Sequence, residues 1–269
     1  MRETSAHIPE WLGDWVGGGG SLLLMTDYDG TLTPIVNDPE DACLTDEVRE
    51  RLRALARTPG VRVAVISGRD LEDLRERVAV PELIYAGCHG LEVSGPNLSF
   101  SHPDAEAQQD AVHAVSMALC MGAPFIEGMR VEPKRLGVAV HYRHVASAGR
   151  QELETVLARS LHRKGGQFKL IHGHKVIEVL PQVSWNKGLC ALWIRDRMMI
   201  ELPAPMIVFY MGDDWTDEYA FETLVGKAVT VRVGAGHEPS KADYRISGVD
   251  EVERLLANIA SAVVERRAS

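Results

Sequence analysis

The chain has no apolar run long enough to cross a membrane. A membrane-spanning helix needs about 20 consecutive apolar residues. The longest apolar-leaning stretch of the 269 residues, near 111–126, is interrupted by His113, Gly122 and Pro124. The first residues also lack the basic segment and the apolar segment of a secretory signal. We therefore expect a cytoplasmic protein with no membrane partner.

Cysteine is scarce and scattered. No two of the cysteines form a Cys-x-x-Cys pair, since they stand at Cys43, Cys88, Cys120 and Cys190. This spacing excludes a zinc ribbon and a dithiol redox motif. We expect reduced thiols.

Basic residues are outnumbered by acidic ones. The 29 lysines and arginines stand against 38 aspartates and glutamates, for a formal net charge of −9. Nucleic acids and anionic membranes are not attracted by a net negative surface, so we expect neither as a partner. An anionic substrate would need positive charge supplied locally. No pattern sets an oligomeric state, and a monomer is the default expectation.

The polar motifs that are present come directly after short apolar runs. The runs 22–26, 61–66 and 205–211 lead into Asp27-Tyr28-Asp29-Gly30, Ser67-Gly68-Arg69 and Gly212-Asp213-Asp214. A fourth motif, Trp185-Asn186-Lys187-Gly188, opens a helical pattern. Such runs are typical of buried strands, and the carboxyl ends of parallel strands meet at one edge of a sheet. We therefore expect the four motifs to converge.

Helical patterns alternate with these runs, as is typical of a doubly wound parallel sheet. Thr45 and Asp70 have the signature of N-caps, and the helix after Asp70 is predicted to end at 80. Gly17–Gly20 is predicted as a flexible lead-in. Further helices are predicted near 187–199, 214–225 and 250–266, a strand near 227–233, and a hairpin turn at 95–97. We predict an α/β core formed by residues 1–103 and 182–269.

Residues 104–181 have a different pattern. Their strands follow one another closely, which suits an antiparallel sheet with helices on one face. We therefore predict an inserted, smaller α+β domain. Its predicted elements are a helix at 104–121, strands at 125–132 and 136–142, a helix at 149–162, and strands at 167–171 and 176–180.

Asp27 and Asp29 suit phosphate chemistry if they lie together. The first can attack phosphorus or hold a metal, while the second moves a proton on and off the leaving oxygen. A carboxylate reaches a phosphate dianion only if cations offset their repulsion, and Lys187 with Mg²⁺ would supply that offset. Asp29 would need burial, or the nearby charge of Asp27, to keep its proton until the leaving group departs.

The four motifs, in this order, resemble those of the haloacid dehalogenase (HAD) superfamily of phosphatases. The resemblance implies that Asp27 is the nucleophile, which forms an aspartyl-phosphate, and that Asp29 is the general acid and base. It implies that Ser67 donates a hydrogen bond to the phosphate and that Lys187 stabilises its charge.

The same resemblance implies Mg²⁺ as the cofactor. Its implied ligands are Asp27, the backbone carbonyl of Asp29, and Asp213. Asp214 and Asp217 are further candidates, which the resemblance does not rank.

A second resemblance, to the trehalose-6-phosphate phosphatase family, spans about residues 22–217. It rests on segments 26–36, 87–92, 132–134, 141–143, 174–179 and 185–188. It implies a sugar phosphate substrate, trehalose 6-phosphate, and a mobile cap, formed by the inserted domain, that closes on the sugar. The implied sugar contacts are Glu132, Lys134, Arg143, Lys175 and Glu178 in the cap, with Arg69 and His89 on the core side. The sequence departs from the family pattern at Gly137, where the pattern has serine.

Several alternatives remain open. Another sugar-phosphate phosphatase, or a phosphosugar mutase of the same superfamily, would share the core motifs. A catalytically silent regulatory domain beside a sugar-phosphate synthase would share the fold, although the chain retains every core residue named above. Glu132 and Lys134 could instead form a solvated ion pair that contributes little.

Overall fold

The structure is a computed structural model that describes residues 7–162, 166–202, 205–236 and 238–268. By its internal contacts the chain divides into two compact units, Met1–Phe100 with Trp185–Ser269, and Ser101–Ser184. Residues 1–6, on which the expectation about a signal segment partly rests, lie outside the described residues. Among the helices that the structure describes, none is long and apolar enough to span a membrane.

The helices and strands are numbered in chain order. The helices are α1 (Ile8–Gly17), α2 (Asp46–Arg57), α3 (Leu71–Val78), α4 (Pro103–Glu106), α5 (Gln109–Gly122), α6 (Arg150–Leu161), α7 (Lys187–Glu201), α8 (Trp215–Thr223) and α9 (Val249–Ala268). The strands are β1 (Ser21–Thr26), β2 (Val61–Ile66), β3 (Ile84–Gly87), β4 (Glu92–Gly95), β5 (Leu98–Ser101), β6 (Arg130–Lys134), β7 (Gly137–His141), β8 (Phe168–Gly173), β9 (Val176–Pro181), β10 (Met206–Gly212), β11 (Val229–Val233) and β12 (Tyr244–Ile246).

The first unit is built on a sheet with the strand order β12-β11-β10-β1-β2-β3-β4-β5. The strands from β12 to β3 run parallel, and β4 runs antiparallel to β3. In β1, Thr26 is in register with Met211 of β10 and Val65 of β2. The carboxyl ends of these strands therefore share one edge. The predicted doubly wound parallel sheet is confirmed, and the predicted turn at 95–97 joins β4 to β5.

Both faces of β1 are buried, since successive side chains of a strand point to opposite faces of the sheet. Leu22 and Leu24 lie in one core cluster, and Leu23 and Met25 lie in another. Apolar residues of α1, α2, α3 and α9 complete the first cluster, and those of α7 and α8 complete the second. This two-sided burial explains why the strand is a continuous apolar run.

Both predicted helix caps are confirmed. The Thr45 hydroxyl accepts a backbone N–H from the first turn of α2 at 3.3 Å, and the Asp70 carboxylate does the same for α3 at 3.1 Å. The predicted helix end at 80 is wrong. α3 ends at Val78 because Ala79, with a φ of 53°, turns the chain out of the helix.

The sequence patterns do not predict α1 or β12. α1 includes Gly17, which was expected to lie in a flexible lead-in, and it packs along α9. A Cβ added to Gly13 would stand 2.8 Å from the carbonyl oxygen of Ala262 in α9 and 2.9 Å from its Cβ. The two helices can approach this closely because position 13 has no side chain.

The second unit contains an antiparallel sheet with the order β6-β7-β9-β8. Apolar residues of α5 and α6 pack against one face of this sheet. The predicted strand at 125–132 begins late, at Arg130, because residues 123–125 form a 3₁₀ turn and Gly128 has a φ of 82°. The single helix predicted at 104–121 is two helices, α4 and α5.

Gly13→Ala should destabilise the protein. Alanine gains roughly 1 kcal/mol of helix propensity over glycine, but overpacking against a backbone that must shift costs about 1–3 kcal/mol. We expect a net loss of roughly 1 kcal/mol in the free energy of unfolding, measured by urea denaturation. Glu10→Ala, on the exposed side of α1, is the control and should stay within about 0.5 kcal/mol. A higher urea midpoint for Gly13→Ala would contradict close packing of α1 on α9.

Candidate active site

The carboxyl ends of β1 and β10 bring the predicted core residues together. Asp27 directly follows β1, and its N–H donates to the carbonyl of Met211 at 2.9 Å. Asp213 directly follows β10. Lys187 is the first residue of α7, whose N-cap is Asn186. Two strand ends and one helix start therefore meet at this edge.

Lys187 is a buried cation held between two buried carboxylates. Its Nζ donates to Asp27 Oδ1 at 2.7 Å and to Asp217 Oδ1 at 2.9 Å, and its side chain is 3% exposed. Burial lowers the pKa of the ammonium group, but the charges of Asp217 and Asp27 more than offset this, so its pKa lies above the usual value. Lys187 therefore remains positively charged at neutral pH.

Asp27, Asp213 and Asp217 form a carboxylate cluster that fits a divalent cation. One oxygen from each lies within 4.8 Å of the others. Burial, reinforced by the charge of Asp217, raises the pKa of Asp213 to about 7. Burial also raises the pKa of Asp27, although Lys187 opposes this. Because three carboxylates face one ammonium group, a bound cation with oxygen ligands would relieve their repulsion.

The turn after β1 packs directly against this cluster. The Thr31 hydroxyl donates to Asp213 Oδ1 at 3.4 Å. Gly30 has a φ of 83°, and a Cβ there would overlap the Asp213 carboxylate. Glycine is thus required at position 30 both for its backbone conformation and for space.

The structure separates the roles of Asp214 and Asp217. Asp214 is the N-cap of α8, and its Oδ1 accepts the Trp215 N–H at 2.6 Å. Asp217 is fully buried and belongs to the carboxylate cluster. Its Oδ1 also accepts the hydroxyl of Tyr210 at 2.7 Å. No sequence pattern predicts a role for Tyr210, whose one signal is a hydroxyl inside an otherwise apolar run.

Asp29 is bound by a neighbouring arginine. Arg69 donates from Nε to Asp29 Oδ2 and from Nη2 to Asp29 Oδ1, each at 2.7 Å. The Asp29 side chain is 40% exposed and that of Arg69 is 9% exposed. Asp29 is therefore only partly buried. Arg69 is expected to contact substrate, but in this structure its guanidinium group donates hydrogen bonds to oxygens of the protein.

Ser67 and His89 lie in adjoining backbone turns. The Ser67 Oγ accepts the Arg69 N–H at 3.2 Å, and the Ser67 carbonyl accepts the His89 N–H at 2.8 Å. His89 is buried and has a φ of 58°. The Trp185 indole N–H donates to the carbonyl of Gly90 at 2.8 Å, which ties this turn to the segment that precedes Lys187.

In the second unit, three of the predicted sugar contacts share one face of the sheet. Ala139 of β7 is in register with Glu132 on one side and Glu178 on the other. Lys134, two residues along β6, forms an ion pair with Glu178, while Glu132 contacts His141 at 2.8 Å. Glu132 and Lys134 thus each contact a charged or polar side chain of the same sheet.

The remaining predicted sugar contacts lie at neighbouring turns of the second unit. Arg143 Nη2 lies 3.2 Å from His174 Nδ1. Lys175 has a φ of 65° in the turn between β8 and β9, and its carbonyl accepts the Tyr142 N–H at 3.0 Å. At Gly137 a Cβ would stand 2.6 Å from Leu180 Cδ2, so the serine of the family pattern would need Leu180 to move.

Comparison with known proteins identifies the family. The family model described as Trehalose-phosphatase matches residues 25–250. The chain belongs to the trehalose-phosphatase family. The trehalose-phosphate phosphatase of Mycobacterium tuberculosis (strain ATCC 25618 / H37Rv) is 37% identical over 233 residues, which are 85% of this chain and 58% of that protein. The chain thus spans less than two thirds of the length of this relative.

Solved structures of low identity show the same fold. The C-terminal domain of Candida albicans trehalose-6-phosphate phosphatase has a TM-score of 0.76 at 22% identity, over 96% of this chain and 98% of that one. A haloacid dehalogenase-like hydrolase from Bacteroides thetaiotaomicron has a TM-score of 0.61 at 16% identity, over 89% and 99%. The resemblance to the trehalose-6-phosphate phosphatase family is confirmed, and the fold is shared with a haloacid dehalogenase-like hydrolase.

Tyr210→Phe should lower stability, because it removes the hydroxyl that donates to buried Asp217. A hydrogen bond to a charged group contributes about 1.5–3 kcal/mol and one between neutral groups about 1 kcal/mol. Tyr28→Phe is the matched control, since the buried Tyr28 hydroxyl donates to the neutral carbonyl of Ala42 at 2.9 Å. In urea denaturation we expect the larger loss for Tyr210→Phe. Equal losses would contradict a charged acceptor at Asp217.

Proposed function

We propose that the protein hydrolyses trehalose 6-phosphate to trehalose and phosphate. The observation that carries the proposal is the contact of Lys187 with Asp27 at the carboxyl edge of the sheet, beside the carboxylates of Asp213 and Asp217. Family membership supports it, because the M. tuberculosis relative is named trehalose-phosphate phosphatase.

Asp27 is the proposed nucleophile. One of its oxygens attacks phosphorus, and the bond between phosphorus and the sugar oxygen breaks, which leaves an aspartyl-phosphate. Lys187 supports this attack because its charge, held 2.7 Å from Asp27, offsets the repulsion between carboxylate and phosphate. Ser67, at the end of the adjacent strand, is proposed to donate a hydrogen bond to a phosphate oxygen.

Asp29 is the proposed general acid and base. It gives its proton to the sugar oxygen as the phosphorus–oxygen bond breaks, and the electron pair of that bond leaves with the oxygen. In the second step Asp29 takes a proton from water, whose oxygen attacks phosphorus and releases Asp27 as a carboxylate. The two steps consume one water and restore both aspartates.

We propose Mg²⁺ as the cofactor, bound by Asp27, Asp213 and the backbone carbonyl of Asp29. When bound, the ion offsets negative charge on the phosphate and on the carboxylate cluster. In this assignment Asp217 keeps its hydrogen bonds from Lys187 and Tyr210. One oxygen of Asp214 already accepts a backbone N–H of α8, so we propose that this residue contacts the ion through water.

The inserted domain, residues 104–181, is proposed to set the choice of sugar. The face of its sheet opposite α5 and α6 presents Glu132, Lys134 and Glu178, whose donors and acceptors suit the hydroxyl groups of an uncharged disaccharide. Further proposed contacts with the substrate are Arg143 and Lys175 in this domain and His89 and Arg69 in the core.

A panel of phosphate esters tests the activity and the cofactor. With Mg²⁺ present, we expect faster phosphate release from trehalose 6-phosphate than from glucose 6-phosphate, sucrose 6-phosphate or mannose phosphates, and loss of activity with EDTA. Asp27→Asn should lower turnover by more than about 1,000-fold, as is typical for loss of a nucleophile. Asp46→Asn, exposed at the start of α2, is the control.

Other outcomes of the panel point to different functions. Faster turnover of another ester would overturn the assignment of the sugar and leave the core chemistry in place. An isomeric sugar phosphate without free phosphate would identify a mutase. No turnover of any ester by the folded protein would favour a regulatory domain.

Lys134→Ala should lower kcat/KM for trehalose 6-phosphate by about 10- to 100-fold, the range for one hydrogen bond from a charged donor. Arg135→Ala is the control, because Arg135 is the next residue and pairs with Glu106 instead. Steady-state kinetics on both variants, with thermal melts to establish folding, measure the difference. An equal effect of the two substitutions would remove Lys134 from the substrate site.

A further inference from the structure

The turn that carries Asp213 is held by an arginine of the neighbouring strand. Arg232 of β11 is in register with Gly212, the last residue of β10. Its Nη1 donates to the carbonyl of Asp214 at 2.8 Å, and its side chain is only 13% exposed. The guanidinium group therefore connects β11 to the backbone immediately after Asp213.

The Asp214 carbonyl joins this contact to the start of α8. It also accepts the N–H of Asp217 at 3.1 Å, while the Asp214 N–H donates to Asp217 Oδ2 at 3.1 Å. Glu218 Oε1 lies 3.5 Å from Arg232 Nη1, and Glu218 Oε2 accepts the N–H of Lys241 at 2.9 Å. Because a hydrogen bond from a charged donor is stronger than one between neutral groups, Arg232 is a firm support for this turn.

The direction of the Asp213 carboxylate depends on the backbone of the turn. Its side chain is short, and its hydrogen bond from Thr31 is long, at 3.4 Å. Mg²⁺ demands ligand oxygens at about 2.0–2.1 Å in nearly octahedral geometry. A small displacement of the backbone at Asp213 would therefore weaken the binding of such an ion.

We propose that Arg232 is a positioning residue for the divalent cation. Acting through the carbonyl of Asp214, it fixes the turn 212–214 so that the Asp213 carboxylate points to the place where the cation binds. The inference rests on the proposed function, in which Asp213 is a ligand of Mg²⁺. Groups that orient metal ligands in this way commonly affect metal affinity without touching the ion.

The sign of the effect separates positioning from charge. Arg232 is itself positive, and a positive charge near a cation opposes its binding. Removal of Arg232 would therefore tighten cation binding if only its charge mattered. A loss of affinity on its removal would instead indicate that the ligand geometry has changed.

The test measures the dissociation constant of Mn²⁺ in the absence of substrate, from the electron paramagnetic resonance signal of the free ion. Mn²⁺, like Mg²⁺, takes oxygen ligands in octahedral geometry. The main variant is Arg232→Met, which keeps an unbranched side chain and removes every donor. Each variant is made both in the unchanged protein and together with Asp213→Asn.

Arg245→Met is the matched control. Arg245 is in register with Arg232 on the next strand, β12, so the same positive charge is removed from a neighbouring position. Its guanidinium group also donates to backbone carbonyls, those of Gly234 at 3.1 Å and Glu238 at 2.8 Å. These carbonyls belong to the segment after β11 and not to the turn that carries Asp213.

We expect Arg232→Met to raise the Kd of Mn²⁺ about tenfold, at the low end of the range for groups that orient metal ligands. With Asp213→Asn present, the same substitution should leave the Kd unchanged or lower it, because the carboxylate that Arg232 positions is gone. Arg245→Met should raise the Kd by no more than about twofold in either case, as for independent sites.

The outcomes separate the inference from the function on which it rests. If Asp213→Asn alone leaves the Kd unchanged, the assignment of Asp213 as a ligand fails and the inference fails with it. If Asp213→Asn weakens binding, the positioning role alone is overturned by any of three results. These are no increase of the Kd for Arg232→Met, an equal increase with and without Asp213→Asn, or an equal increase for Arg245→Met.

A merely structural role of Arg232 would weaken binding by the same factor with and without Asp213→Asn, so the comparison does not depend on full stability of the variants. If Arg232→Met fails to fold, Arg232→Gln replaces it. The amide of glutamine is two bonds shorter than the guanidinium group and uncharged, so the same difference between the two proteins is expected.

Discussion

The buried ammonium group of Lys187 is the interaction on which the rest of the core depends. A charge removed from water is tolerated only when opposite charges and hydrogen bonds surround it. Lys187 meets that condition through Asp27, which follows β1, and Asp217, which lies in α8. The strand ends and the starts of α7 and α8 must therefore be in register to within a hydrogen-bond length. The parallel alignment of β1 with β10 supplies that register.

The second unit also contains a nearly buried lysine that is paired with a carboxylate. Lys134 of β6 and Glu178 of β9, with side chains 4% and 10% exposed, pair across β7 on the face of the sheet opposite α5 and α6. A pair of this kind is weak evidence for stability, because desolvation offsets most of the attraction. The proposed contacts with sugar hydroxyls give this pair a role other than folding. Under that proposal, phosphate chemistry lies in one unit and hydroxyl recognition in the other.

The sequence predicts the structural features that are determined by residues close to one another along the chain. Strand ends could be located because apolar runs stop at glycine and aspartate, and the caps Thr45 and Asp70 are local signals. Contacts across the chain could not be predicted in this way. Whether Asp214 or Asp217 joins the carboxylate cluster depends on the cap geometry of α8. Likewise, α1 is marked by no capping side chain.

The separation of Lys187 from Asp27 by 160 positions has a consequence for synthesis on the ribosome. β1 is made before the second unit, but its partner β10 is made only after the whole of that unit. The growing chain therefore carries an apolar strand with one open edge while the intervening residues are added. Phe100 and Trp185, whose rings lie 5.3 Å apart, flank the interruption within the first unit. A second unit that folds as soon as it emerges would replace a long flexible loop by a short closure between these rings, and so lower the entropic cost of bringing β10 to β1.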